Sequence, residues 1–472
     1  MINFKNYPKM TKCIIPNNIS LSTTDFSGAF EGHCINLINC EVPVENLTNI
    51  SRIFSACSNL TDSPVCGENV IDMSRAYYRC YNLTGSPVCG SNVTNMTGAY
   101  YYCYDLTGSP VCGENVTSMD YTYDSCYNLT GSPVCGENVT SMYSTYSGCS
   151  NLTGSPVCGK NVTNMWNTYS GCSNLTGSPV FGNNVTDISC TYRACYKLTG
   201  SPICPNNITD LDYTYTSCYN LTGSPVCGEN VTSMDHTYAH CYNLTGSPVC
   251  GDKVTSMWNA YTYCNNLTGS PVCGENVYAM TNTYYGCSNL TGSPVCGESV
   301  RYMNYAYYGC SNLTGSPVCG STVNTMIYAY ANCFKLIGDP ACGNNVIYMN
   351  GAYMNCYNLT GTPILSINVK YAVNTYVNCY NIASNAYFYS PNVLNVRNCF
   401  YGKNNSRRYD IYLPENSTTL TTCLYNNSRS LVGNSITWTD EVSTNGYYYN
   451  TRYNIYLHPV ANVAEARAAN GD

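Results

Sequence analysis

The chain has 472 residues, but only 10% of them are Asp, Glu, Lys or Arg, against about 25% in ordinary globular domains. The net charge of −7 is spread without a basic block, which argues against nucleic-acid binding through phosphate neutralisation. No apolar run approaches the about 18 residues of a membrane span, so membrane insertion is not expected either.

The opening, MINFKNYPKMTKCIIPNN, lacks the apolar core of a secretory signal, and residues 1–33 are expected to form an N-terminal cap. From Cys34 to Cys379 a cysteine recurs every 23 residues, sixteen times without an insertion. Such a fixed period marks a repeat array. With that cysteine as slot 0, Leu or Ile falls at slot 3, Pro usually at 7, Val or Ile at 8 and Cys usually at 9. Val follows at 13, Met commonly at 16 and Tyr at 20; the phrase LTGSP alone occurs eleven times.

The spacing 13–16–20–23 has helical periodicity. It predicts a short helix with Val139, Met142, Tyr146 and Cys149 on its buried face, and Tyr143 and Ser144 outside. The first half, with Gly and Pro, reads as a short strand and a turn. One strand and one helix per 23 residues predict an α/β solenoid of leucine-rich-repeat-like coils over 34–400, each burying its apolar face on its neighbours. An all-β solenoid of the same period is the alternative.

The pattern C-x-x-L…V-x-x-M-x-x-x-Y-x-x-C resembles the BspA-like (treponemal-type) leucine-rich repeat, which shares the 23-residue period and an A-F-x-x-C element. The first coils are closer still, with Ile14-Ile15-Pro16, Gly28-Ala29-Phe30 and Phe54-Ser55-Ala56-Cys57. The resemblance covers roughly residues 14–400 and implies the solenoid fold. One departure is Ser, Pro and Cys at slots 6, 7 and 9. A proline cannot donate to a strand ladder and should end or distort each strand.

Thirty-three cysteines raise disulfides, metal sites and core filling as readings. Slot 9 holds Phe181 and Leu365 in two coils while Cys172 and Cys356 stay in place. A slot that accepts Phe and Leu behaves as apolar core, so most thiols are expected to be free and buried. No CxxC pair or zinc-like spacing occurs, and neither metal nor cofactor is expected. Asn-Leu-Thr at slots 2–4 and Asn-Val-Thr at 12–14 match the glycosylation acceptor. Slot 12 also takes Ser299 and Thr322, so helix capping is the expected role there.

Variation from coil to coil concentrates at slots 17, 18, 21 and 22. The candidate ligand-binding residues on this outward face are Tyr121, Tyr143, Trp166, Trp258 and Tyr305, with Tyr302 and Tyr348 nearby at slot 15. Aromatics on a rigid scaffold give contact area at low entropic cost. Trp166 and Trp258, both at slot 17 and four coils apart, are expected on one side, about 19 Å apart at about 4.8 Å per coil.

The period fails after Cys379, and residues 401–472 are expected to form a small β-rich cap. Its strands are predicted at Ile411–Pro414, Ser435–Trp438, Tyr447–Tyr449 and Ile455–Pro459, with Asn445-Gly446 as a turn. Four scattered histidines and acidic residues on a drifting slot supply no nucleophile, phosphate loop or metal set, so no enzyme is expected.

Low charge, near-identical coils and the ending NVAEARAANGD resemble phage-tail proteins that carry such repeats. The resemblance implies a virion protein of a tail or fibre, released by lysis without a signal peptide. Its partner would be a host cell-surface component, polysaccharide or protein, or other virion proteins. A cell-surface adhesin of a bacterium or protist, and a purely structural virion or filament component, are the alternatives.

Overall fold

The computed structural model describes residue 4 and residues 7–15, 23–32, 34–402, 408–425, 439–440, 447–450 and 455–472. The chain divides into two units. One is Met1–Val231 with His240–Tyr242, and the other is Thr232–Ala239 with Asn243–Asp472. In each, slot 15 of one coil pairs in parallel with slot 15 of the next, from Asn49 to Asp187 in the first unit and from Ser233 to Tyr371 in the second, with Asp25 and Asn395 pairing at the outer ends.

The buried face is the one the period predicts: Val139, Met142, Tyr146 and Cys149 are all inaccessible to solvent. The predicted helix is not there. In an α-helix each N–H would bond four residues back. Instead, the N–H groups of Met142, Ser144, Tyr146 and Gly148 donate to Asn164, Trp166, Thr168 and Ser170 of the next coil, at 2.7–2.9 Å. Within the coil, Thr145 N–H returns to Met142 O and Cys149 N–H to Tyr146 O at 3.1 and 3.0 Å. The segment is therefore two successive β-turns laddered to their neighbours. The third residue of each turn has positive φ, 51° at Ser144 and 74° at Gly148, a conformation that favours Gly and Asn. Gly98, Asn167, Asn259 and Asn282 occupy slot 18 in other coils.

With no helix there is no cap for slot 12 to make. Asn138 Nδ2 instead donates to Glu114 O of the previous coil at 2.9 Å, and Asn161 repeats the bond to Glu137 O. Two residues on, Thr140 Oγ1 donates to Thr117 O at 3.0 Å. These side chains tie coil to coil.

Inside each stack the slot-20 rings form a column. Tyr123, Tyr146 and Tyr169 lie 5.5 Å apart and within 8° of parallel, a spacing that adds attraction beyond area burial. Each hydroxyl crosses its own coil to slot 8, where Tyr146 OH donates to Val134 O at 2.7 Å and accepts Val134 N–H at 3.0 Å. This explains the slot-7 proline. With Pro133 the segment forms no strand, and the phenol satisfies the peptide group that a ladder would have held. The coil of Cys34 has Glu41 at slot 7; there Asn39–Glu41 is a strand, and the ring in the column is Phe54. The coil of Cys379 has Ala386 within a strand, and its ring is Phe400.

The slot-0 thiols are buried and donate to the carbonyl of a Tyr or Phe one coil back, as Cys149 Sγ does to Tyr123 O at 3.0 Å and Cys80 Sγ to Phe54 O at 3.1 Å. Burial pushes Cys149 and Cys172 well above the ordinary thiol range. None of the 33 cysteines is joined in a disulfide in the structure.

Strands gather at the two chain ends. In the first unit β1 (Lys12–Ile14) pairs in parallel with β2 (Asn39–Glu41). In the second, β3 (Ile364–Leu365), β4 (Asn385–Phe388) and β5 (Tyr409–Pro414) run in parallel and precede helix α1 (Thr418–Tyr425). Then come β6 (Thr439–Asp440), β7 (Tyr448–Asn450), β8 (Ile455–Val460) and helix α2 (Val463–Ala469), in the sheet order β3-β4-β5-β8-β7-β6. The predicted strands at 411–414 and 455–459 are thus present and pair in parallel, Ile411 opposite Leu457. The two helices were not expected. In α2, Asn462 caps the N-terminus, its side chain accepting from Ala464 and Glu465 N–H. Ser435–Trp438 and Asn445-Gly446 lie outside the described residues.

Candidate recognition surface

The turn segment carries the variable slots. Tyr121, Tyr143, Trp166 and Tyr305 are half-exposed there, and Trp258 is 44% exposed. Ser144, expected outside, is only 1% exposed. The positive φ at slot 18 directs its side chain toward the next coil, where its hydroxyl accepts from Asn167 Nδ2 at 3.1 Å.

Coil stacking converts single aromatics into runs. In the first unit Tyr101 stacks on Tyr121 at 5.4 Å, Tyr121 meets Tyr143 edge-on at 5.1 Å, and Tyr143 stacks on Trp166 at 4.6 Å. Three of the five candidates are therefore joined in one run. Tyr305 belongs to another in the second unit, stacked on Tyr328 at 5.2 Å. Trp258 stands edge-on to His236 at 5.0 Å. Trp166 and Trp258 fall in different units.

The Tyr121 and Tyr305 phenols stay protonated and so remain hydrogen-bond donors. Burial, with a hydrogen bond to Tyr143, pushes Tyr121 up to about 12, and burial raises Tyr305. Beside Tyr121, burial raises the Asp124 carboxyl to about 6, against the pull of its bond with Ser125.

Two further features escaped the sequence reading. Slot 1 carries aromatic triplets: Tyr81, Tyr104 and Tyr127 stack at 5.0 and 5.1 Å. Tyr196, Tyr219 and Tyr242 repeat this, as do Phe334, Tyr357 and Tyr380. Their signal was the clustering of Tyr directly after three consecutive cysteines. The other is a trough of about 1130 Å³ in the first unit, lined by the slot-12 and slot-14 side chains from Thr23 to Asn138. Its Asn-x-Thr signal was plain, but was assigned to a helix end that does not exist.

Comparison with known proteins gives a likeness in fold only. No family model and no curated protein matches the sequence. Similar solved structures include two leucine-rich proteins. One is a leucine-rich repeat protein from Bacteroides ovatus, 17% identical with a TM-score of 0.44, over 77% of this chain and 88% of that one. The other is a leucine-rich cell surface protein from Faecalibacterium prausnitzii, 15% identical with a TM-score of 0.40, over 74% and 91%.

Among the described residues no three His, Cys, Asp or Glu side chains are grouped as a metal site would need, and no helix is long and apolar enough to cross a membrane. Near the C-terminus Asp410 holds Arg408 at 2.7 Å and His458 Nε2 at 2.6 Å, with Tyr412 and Tyr447 against the imidazole. Side-chain bonds from His458 and Arg408 outweigh burial and hold the Asp410 carboxyl below its ordinary range.

Proposed function

We propose that this chain is a non-enzymatic recognition protein acting outside the cell, as a host-binding component of a phage tail or fibre. The observation that carries this is the half-exposed aromatic run from Tyr101 to Trp166. It is fixed on a scaffold whose inward slots hardly vary, while the outward slots differ from coil to coil. Rigid exposed Tyr and Trp side chains are the usual anchors of a binding surface. A host surface component, polysaccharide or protein, is the partner such an extended face suits. A cell-surface adhesin with BspA-like leucine-rich repeats would use the same face and differ in how it leaves the cell.

The test is the double substitution Trp166→Ser and Trp258→Ser. Slot 17 already holds Ser74 and Ser189 in other coils, so the fold is retained, which circular dichroism checks. Adsorption of the labelled chain to a panel of bacterial cells should fall about tenfold or more, as for loss of an aromatic anchor. Unchanged adsorption would move the binding site off this face.

A further inference from the structure

A wedge lies at the start of the aromatic run. Tyr78 and Tyr101 are 5.5 Å apart, but their planes diverge by 48°, unlike the 22° between Tyr101 and Tyr121. The wedge is part of a cleft of about 300 Å³ lined by Arg75, Tyr78, Thr97, Gly98, Tyr101 and Tyr121. Gly98 hollows it. Slot 18 carries a side chain in most coils, and a Cβ at Gly98 would lie 3.3 Å from Arg75 Cγ.

Charge is scarce in this chain, yet a guanidinium, that of Arg75, lines this cleft. Arg75 is exposed and makes no ion pair among the described residues, and Arg79 lies over the Tyr78 ring at 5.0 Å. Of the carboxylates in the Tyr121 coil, Asp124 is bonded to Ser125 and Asp120 to Ser141 and Tyr143. No carboxylate lines the cleft.

We propose that this cleft binds one carboxylate-bearing sugar residue, of the uronic or sialic acid class, within a surface polysaccharide. This rests on the recognition reading above and names its ligand. The volume is near the lower end of ligand pockets and holds one pyranose ring. The tyrosine faces take the apolar side of that ring. The Arg75 fork matches a carboxylate with two parallel hydrogen bonds.

The experiment titrates the full chain with hexamers of galacturonic acid, hexamers of galactose and a glycerol phosphate polymer, by calorimetry at low and high salt. The acidic hexamer should bind about tenfold tighter than the neutral one at low salt, and lose that advantage at high salt. Arg75→Gln should bring the acid down to the neutral hexamer. Gly98→Asn fills the cleft, and Asn already occupies slot 18 at φ near 56° in Asn167 and Asn259, so it should fold and weaken both hexamers. The proposal is overturned if the wild-type chain binds neither hexamer or both equally. It is also overturned if Arg75→Gln leaves their ratio unchanged, or if the glycerol phosphate polymer, which has no sugar ring, binds as well as the acid. The titration uses no cells. A chain whose adsorption depends on Trp166 and Trp258 but which shows no acid preference loses this assignment alone.

Discussion

Removing one oxygen from the buried column tests how the coil replaces its missing strand. In Tyr146→Phe the ring keeps its neighbours at 5.5 Å on both sides, so stacking and apolar burial are retained. What is lost is the pair of hydrogen bonds to Val134, one donated at 2.7 Å and one accepted at 3.0 Å. A buried peptide group left without a partner costs about 1–3 kcal/mol. Val134 is half-buried, so some water reaches it, and the two losses together should come to about 2–4 kcal/mol. In a repeat array the damage stays with the altered coil and its neighbours, so a global melting curve would understate it. Native-state hydrogen exchange at the Val134 amide reads it directly. Protection there should fall by the full amount, while amides several coils away keep theirs. An opening free energy within about 0.5 kcal/mol of wild type would refute the claim that the hydroxyl substitutes for a ladder.

Asp124 supplies a pH test. Its folded value, about 6, lies above the about 3.9 of an unfolded chain, so the fold favours the neutral acid. That contribution is fully present below about pH 4 and is lost as pH rises through about 6. Asp124→Asn should therefore stabilise the chain by up to about 3 kcal/mol at pH 8 and by nothing at pH 4, read from denaturant unfolding at both; equal effects at the two pH values would contradict the burial argument. For the thiols, alkylation of the native chain should spare the slot-0 cysteines. In denaturant without reductant more than half of the 33 cysteines should react, and a count near zero would mean a disulfide framework.

The period, the buried slots and the strands at Ile411 and Ile455 were legible because spacing and alternation alone encode them. The helix was misread because two consecutive β-turns reproduce its 3–4–3 burial spacing. Val139, Met142, Tyr146 and Cys149 are inside in either conformation. The signal that separates them is the residue at slots 18 and 22: Gly98, Asn167, Gly148 and Gly171 there mark positive φ, and no helix repeats such residues every four positions. Asn138 and Ser144 were misassigned as a consequence of that one error. The outward aromatics were identifiable singly, since Tyr143 and Trp166 stand at variable slots. Their union into a run, and the wedge at Tyr78, depend on how rings lean between coils, which no single coil's sequence encodes. Proline at slot 7 was recognised as a residue that ends or distorts a strand. Its coupling to Tyr rather than Phe at slot 20 was present in the sequence, and only the Tyr146–Val134 hydrogen bonds give it a reason.

The ladder between coils joins like to like at every regular step. Excision of residues 126–148 would bring Tyr121 N–H to Trp166 O, where Tyr143 O now accepts it, and every other donor would likewise meet the acceptor of its own class. Any genetic exchange that adds or deletes a multiple of 23 residues within the array therefore adds or deletes an integral number of coils. The number of coils can thus change in a single genetic event without a new packing problem. The order of the outward aromatics is reshuffled in the same step, which would give the proposed recognition surface a new series of contacts.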